Sequence, residues 1–290
     1  MPQFFIYQMR AHLLVTGEDA PDFLQSQFSR DLRSLEPGHG VYGLWLDVKG
    51  KIVADSWVWL EGPETFRIFS EHSAASGIVE KLERHIIADD VEIEVVEPTP
   101  ALALVGVEAA QLQGSYSGLA LLPGRRARVA SCECLFRTVE ERDAMIAELG
   151  GEPLTGPGLH ALRLDAGIPL VPQEAGPGEL PGEAGLDKDA VDFDKGCFLG
   201  QEVVARMHNL GKSTRALYRV TGDGVPPVVP QPLETETGKT VGELRSTSPR
   251  DAGWEGVALL KIRYADVELS LAQDGGRVRV QNYFRSGEAL

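Results

Sequence analysis

The stretch VDFDKGCFLGQEVVARMH, residues 191–208, gathers the groups with the greatest chemical potential in the chain: Lys195, Cys197, Gln201, Glu202 and Arg206 lie within twelve positions. Asp194-Lys195-Gly196 reads as a turn, and Val203, Val204 and Met207 recur at helical spacing, so the pattern predicts a helix with Cys197 at or just before its start. The positive end of the helix dipole and the Lys195 ammonium would both favour a thiolate over a thiol. A thiolate can attack a one-carbon unit, ligate iron transiently or exchange a disulfide, and the residue types leave all three open. Gln201, Glu202 and Arg206 add polar groups about one turn apart, with Glu202 and Arg206 at the i, i+4 spacing of an ion pair. The competing reading is a thiol packed beneath a loop, because free cysteine is among the most buried residue types.

The other cysteines, Cys132 and Cys134, form a C-x-C in an expected strand, where they share one face. They read as a buried pair, since a structural metal site would need wider spacing and a second ligand pair. No metal site is expected. The six histidines form no H-E-x-x-H, and the chain has neither a G-x-S-x-G elbow nor a phosphate loop. Twenty-eight Lys plus Arg against 43 Asp plus Glu give a net charge of −15, which argues against direct nucleic-acid binding. Arg125, Arg126 and Arg128 read as a solvated loop running into a strand. Three cysteines, an odd number, and an N-terminus without signal-peptide features point to free thiols in the cytoplasm, and no apolar run is long enough to span a membrane.

The elements that must position these groups are mixed. A strand at residues 11–15 leads through Thr16–Pro21 into a helix carrying Phe23, Leu24 and Phe28 on one face. YGLWLDVKGKIVADSWVWL reads as a β-hairpin turning near residues 47–50. A strand at 65–70, a helix at 74–85, strands at 91–96, in ALALVGV and in RARVASCECLFRTV, and a helix at 140–149 follow. This is the pattern of an α+β, ferredoxin-like unit. Residues 150–158, including Gly156 and Gly158, read as a linker, and LHALRLDAGIPL as a helix ending near Gly167. Residues 172–185 hold four Gly and three Pro in fourteen positions, a loop of the kind that carries binding groups. From Ala216 onward, short apolar runs broken by Gly and Pro predict a small all-β barrel or sandwich.

The octapeptide KGCFLGQE closely resembles the K-G-C-[FY]-x-G-Q-E signature of the YgfZ family, folate-dependent proteins of iron–sulfur cluster assembly or repair related to the aminomethyltransferase (T-protein) of glycine cleavage. LLVTGEDAPDFLQSQFSRDL, LDVKGKIVAD, RLDAGIPL and GKTVGELRSTS resemble further segments of that family, so the likeness spans most of the chain. It implies a three-domain ring around a channel for tetrahydrofolate: a folate-binding first domain of residues 1–45 plus 152–215, a ferredoxin-like second domain of 46–151, and a β-barrel third domain of 216–290. By position Glu174 becomes the expected pterin contact, because a carboxylate can accept paired N–H donors. Gln201, Glu202 and Arg206 complete the implied folate set, with Cys197 and Lys195 as the reactive thiol and its tuning partner. The implied partners are folate and iron–sulfur proteins or their assembly machinery, with an indirect effect on tRNA modification. The sequence departs from T-proteins in reading Glu97-Pro98-Thr99-Pro100 where they carry an acidic pair. That departure disfavours the alternative, a folate-dependent one-carbon transferase acting on a small amine.

Overall fold

Two residues separate strand β1 (Gln3–Gln8) from β2 (Ala11–Thr16), yet the two strands enter different sheets of the computed structural model. The structure describes residues 2–113, 115–116, 119–211, 213–273 and 275–283. After β2 come helix α1 (Ala20–Gln27), with Pro21 in its first turn, then β3 (Gly40–Leu46), β4 (Ile52–Gly62), β5 (Thr65–Ser70), α2 (Ala75–Glu83) and β6 (Glu92–Val95). These strands form one sheet in the order β3-β4-β5-β2-β6. Next follow β7 (Pro100–Val105), α3 (Ala109–Leu112), β8 (Ala120–Pro123), β9 (Ser131–Leu135), α4 (Val139–Leu149) and β10 (Glu152–Pro153), which with β1 build a second sheet ordered β10-β1-β7-β9-β8.

The period-2 alternation of the strands decides how the sheets stack. One face of the first sheet packs Leu13, Trp45, Val58 and Ile68 with Leu24 of α1 and Ile78 of α2. Its other face turns Tyr42, Trp57 and Phe69 toward Ala101, Leu122 and Leu135 of the second sheet, whose outer face packs Leu104 and Cys134 with Met145 of α4. The indole of Trp57 donates to the Pro123 carbonyl at 2.9 Å across the two sheets. The result is four layers, helices outside and two sheets face to face, with the inner core continuing into the rest of the chain.

That continuation comprises α5 (Gly156–Asp165), the loop that follows it, α6 (Gln201–Leu210), and a closed barrel of β11 (Arg215–Gly222), β12 (Gln231–Thr235), β13 (Thr240–Arg250), β14 (Gly253–Lys261), β15 (Leu269–Leu271) and β16 (Arg277–Tyr283). Leu164, Val191, Phe198 and Val204, with Leu217, Val257 and Leu259 of the barrel, join the same core as the two inner sheet faces. The α+β class and the C-terminal barrel match expectation; residues 274 and 284–290 of the expected third domain lie outside the described residues. Among the described residues no helix is long and apolar enough to cross a membrane.

Three readings of the sequence differ from the structure. The boundary expected at residues 45/46 falls inside a sheet, because β3 pairs with β4 from Gly40↔Trp59 to Leu46↔Ile52. Gly156 and Gly158 belong to the first turn of α5, not to a linker: Thr155 caps that turn by accepting from the Gly158 N–H at 3.2 Å. Arg126 is buried rather than solvated, held by Glu133 at 2.8 and 2.9 Å and by Glu71 at 2.6 Å. A run of arginines looks the same in sequence whether its partners are water or carboxylates brought from elsewhere. Cys132 and Cys134 are buried on one face of β9, their sulfurs 3.8 Å apart.

Candidate functional site

The Lys195–Gln201 loop is pinned on both sides of its cysteine. The Lys195 ammonium donates to the carbonyls of Gln25, Phe28 and Arg30 at 2.7, 2.6 and 2.9 Å, where α1 ends and leaves carbonyls without helical partners. Phe198 is buried in the central core, and the Leu199 N–H donates to the Ser26 carbonyl at 2.9 Å. Gly200, at φ +82°, lies so close to the β3–β4 turn that a Cβ there would be 2.5 Å from the Asp47 carbonyl oxygen. Between these anchors Cys197 is exposed. The sequence left a packed thiol and a presented one open, and the fold selects the presented one.

The surroundings of that thiol differ from those expected. The first helical residue is Gln201, with left-handed Gly200 as cap, so Cys197 precedes the helix by a full turn of loop. All three Lys195 N–H donors are directed to carbonyls at and just beyond the end of α1, which makes this residue a clamp on the loop. Burial lowers its ammonium to about 8, against the raising influence of Asp31 and Asp192. Gln201 is half-buried while Glu202 and Arg206 are exposed, and no ion pair joins those two among the described residues. Of the expected apolar face of α6, Val204 is buried, Met207 half-buried and Val203 exposed.

Glu174 is fully buried, and its carboxylate is closed by partners from three elements. Arg163 of α5 donates to both oxygens at 2.6 and 2.8 Å, the Leu170 N–H adds 2.8 Å, and the Ser246 hydroxyl of β13 also donates. Such a carboxylate ties α5, the loop and the barrel together, each of its oxygens accepting two hydrogen bonds.

A different carboxylate faces the inner layer. Asp55 lies in the apolar run IVADSWVWL of β4 and accepts from the Tyr42 hydroxyl at 2.8 Å, from Ser73 at 2.7 Å and from Ser70 at 3.1 Å. It keeps some exposure, yet burial raises its carboxyl, opposed by the hydrogen bonds from Ser73 and Tyr42. The Arg125 guanidinium stacks 3.9 Å over the Tyr42 ring and pairs with Asp189 at 2.5 Å, only six residues before Lys195. Ser29, Arg30 and Asp31 also bind the 189–192 segment, Arg30 through Asp192 at 2.9 Å. The Asp55 cluster and the thiol loop are therefore built on one polar scaffold. Sequence reasoning passed over Asp55, although an acid on the inward face of a strand flanked by Trp57 and Trp59 was a visible signal.

Comparison with known proteins gives this geometry a setting. The model of the GCVT N-terminal domain matches residues 7–123. The tRNA-modifying protein YgfZ of Vibrio vulnificus is 28% identical over 228 residues, covering 76% of this chain and 69% of the relative. The protein of the same name from Sodalis glossinidius is 26% identical over 247 residues, covering 79% and 74%. The crystal structure of the glycine cleavage system aminomethyltransferase T from Bartonella henselae superposes with a TM-score of 0.76 over 98% of this chain and 88% of that one, at 17% identity, and so shares the fold. With the two facing sheets, the closing barrel and the KGCFLGQE loop already in place, the chain is similar in sequence to the tRNA-modifying proteins YgfZ and shares the fold of the aminomethyltransferase.

Proposed function

We propose that this protein binds a tetrahydrofolate and supports iron–sulfur cluster assembly or repair, with Cys197 as the essential thiol and an indirect effect on tRNA modification. The observation that carries the reading is the contrast between one exposed sulfur and the immobilised residues on either side of it. A structural cysteine gains nothing from such presentation. The relatives named as tRNA-modifying proteins support the tRNA link, and the net charge of −15 favours a route that does not grip nucleic acid directly. A cytoplasmic location and iron–sulfur partners belong to the same proposal.

The residues present fit a pterin at the Asp55 cluster better than at Glu174. Asp55 supplies a carboxylate acceptor already oriented by three hydroxyls, beside the rings of Tyr42 and Trp57. When bound, tetrahydrofolate would supply a carrier of one-carbon units. Tyr42, Ser70 and Ser73 would hold the carboxylate in register, and the Trp57 indole would wall the site. In a titration of the intact protein with tetrahydrofolate, Asp55→Asn should weaken binding by about tenfold or more, the cost of mismatching one charged hydrogen-bonding edge. Unchanged affinity would remove Asp55 from the folate site. The raised carboxyl also favours the second reading, one-carbon transfer to or from a small amine with Asp55 as proton donor or acceptor.

Complementation separates the two readings. In cells lacking this protein, wild type should restore the activity of a [4Fe–4S] enzyme under oxidative stress, whereas Cys197→Ala should leave it at the level of the deletion. Because the side chain is exposed, the variant should match wild-type stability within about 0.5 kcal/mol. Equal rescue by both proteins would make the cysteine dispensable; rescue by neither would favour one-carbon transfer.

A further inference from the structure

A cavity of about 660 Å³ opens between the inner face of the first sheet and α4, within the size range of small-ligand sites. It shares no lining residue with the thiol loop or the Asp55 cluster. Trp59, four residues beyond Asp55 on β4, is about 13 Å along the strand from it at the usual rise per residue.

Its chemistry is one-sided. Trp59, Phe69, Tyr116 and Phe136 contribute four aromatic rings, and Glu61, Glu97, Glu141 and Glu148 contribute four carboxylates against two guanidiniums, Arg67 and Arg137. Arg67 does not offset the rest. Its Nε and Nη2 donate to Glu61 at 2.8 and 3.3 Å, and its Nη1 donates to His12 Nε2 at 3.0 Å. His12 therefore stands as a neutral acceptor, its other nitrogen bonded to Thr99 at 2.7 Å and its ring 4.7 Å from that of Phe69. Burial, followed by the Arg67 charge, lowers this imidazole to about 4, so the floor gains no positive charge near neutrality. Glu97 and Glu148 are exposed at the margin, and Arg137 remains as the one lining cation without a carboxylate in ion-pair contact among the described residues.

Aromatic faces attract cations through their quadrupoles, and carboxylates at the rim add to that attraction while repelling anions. We infer that this cavity binds a small organic cation, an alkyl- or arylammonium group held against Trp59 and Phe69 with Glu97 and Glu148 facing its charge. The inference stands apart from the proposed folate and thiol chemistry, because it concerns neither Asp55 nor Cys197.

Benzyltrimethylammonium tests it directly, with benzyl alcohol as the neutral and benzoate as the anionic probe, each titrated into the intact protein at low salt by calorimetry. Saturable binding of the cation is expected, at least about tenfold tighter than either control, a ratio corresponding to 1.4 kcal/mol. Glu97→Gln/Glu148→Gln changes two exposed side chains and should weaken the cation about tenfold while leaving benzyl alcohol unaffected. Ala144→Phe, at an exposed lining position of α4, should block all three probes by filling the space. Binding of benzoate or benzyl alcohol as tight as that of the cation, unaltered cation affinity in both variants, or no saturation by the cation would each overturn the proposal. Melting temperatures of the variants equal to wild type exclude misfolding as the cause of a loss.

Discussion

Glu174→Ala is expected to lower the free energy of unfolding by about 3–5 kcal/mol, the range for removing one partner of a buried ion pair. Arg163, also buried, would lose both carboxylate oxygens and keep only the Ile168 carbonyl at 2.6 Å and the His160 ring at 3.0 Å. The Leu170 N–H and the Ser246 hydroxyl would lose their acceptor in the same change. Against a typical total of 5–15 kcal/mol, a loss of this size brings the variant close to unfolding at ordinary temperature. Equilibrium urea unfolding measures it. The double variant Arg163→Met/Glu174→Leu should recover much of the loss, because replacing a buried pair with apolar groups removes the stranded charge. A single variant with the wild-type urea midpoint would return Glu174 to the role of a ligand-facing carboxylate.

Gly200→Ala should have the next largest effect, about 2–5 kcal/mol, combining a left-handed backbone with a steric clash. The added Cβ would meet the Asp47 carbonyl oxygen at 2.5 Å and the Gly50 Cα at 2.8 Å. Both contacts are backbone and neither can rotate away, so the loop and the β3–β4 turn must separate. Gly211→Ala is the control, since Gly211 is also left-handed, at φ +60°, but has open space around its Cβ position and should lose only about 1 kcal/mol. Thermal unfolding distinguishes the two. Limited proteolysis should reveal new cleavage between residues 195 and 200 in Gly200→Ala alone, and complementation should fall although Cys197 is intact. If the two glycines cost the same, the interlock of loop and turn is not what holds the thiol in place.

The parts of this protein that were legible in its sequence are those governed by local periodicity. The β3–β4 hairpin, α2, α4 and the C-terminal barrel each announce themselves through alternation, helical spacing or glycine and proline punctuation. Cys132 and Cys134 were legible as a same-face pair for the same reason. KGCFLGQE was distinctive enough to point to the YgfZ proteins, to one of which the chain is similar over 76% of its length.

What the sequence by itself determined, then, was the set of elements, the α+β class and the one cysteine worth attention. Only the tertiary structure decided what each charged group does, because a charge takes its role from partners distant in the chain. Lys195 clamps carbonyls 165–170 residues away. Glu174 is closed by Arg163 and Ser246, while Asp55, unremarkable in a run of apolar residues, becomes an oriented, half-buried acid through Tyr42, Ser70 and Ser73. Arg126 reads as a loop residue until β9 brings Glu133 to it. Apolar patterning is written every two or three residues and survives being read locally; electrostatic pairing is settled by which elements the core brings together.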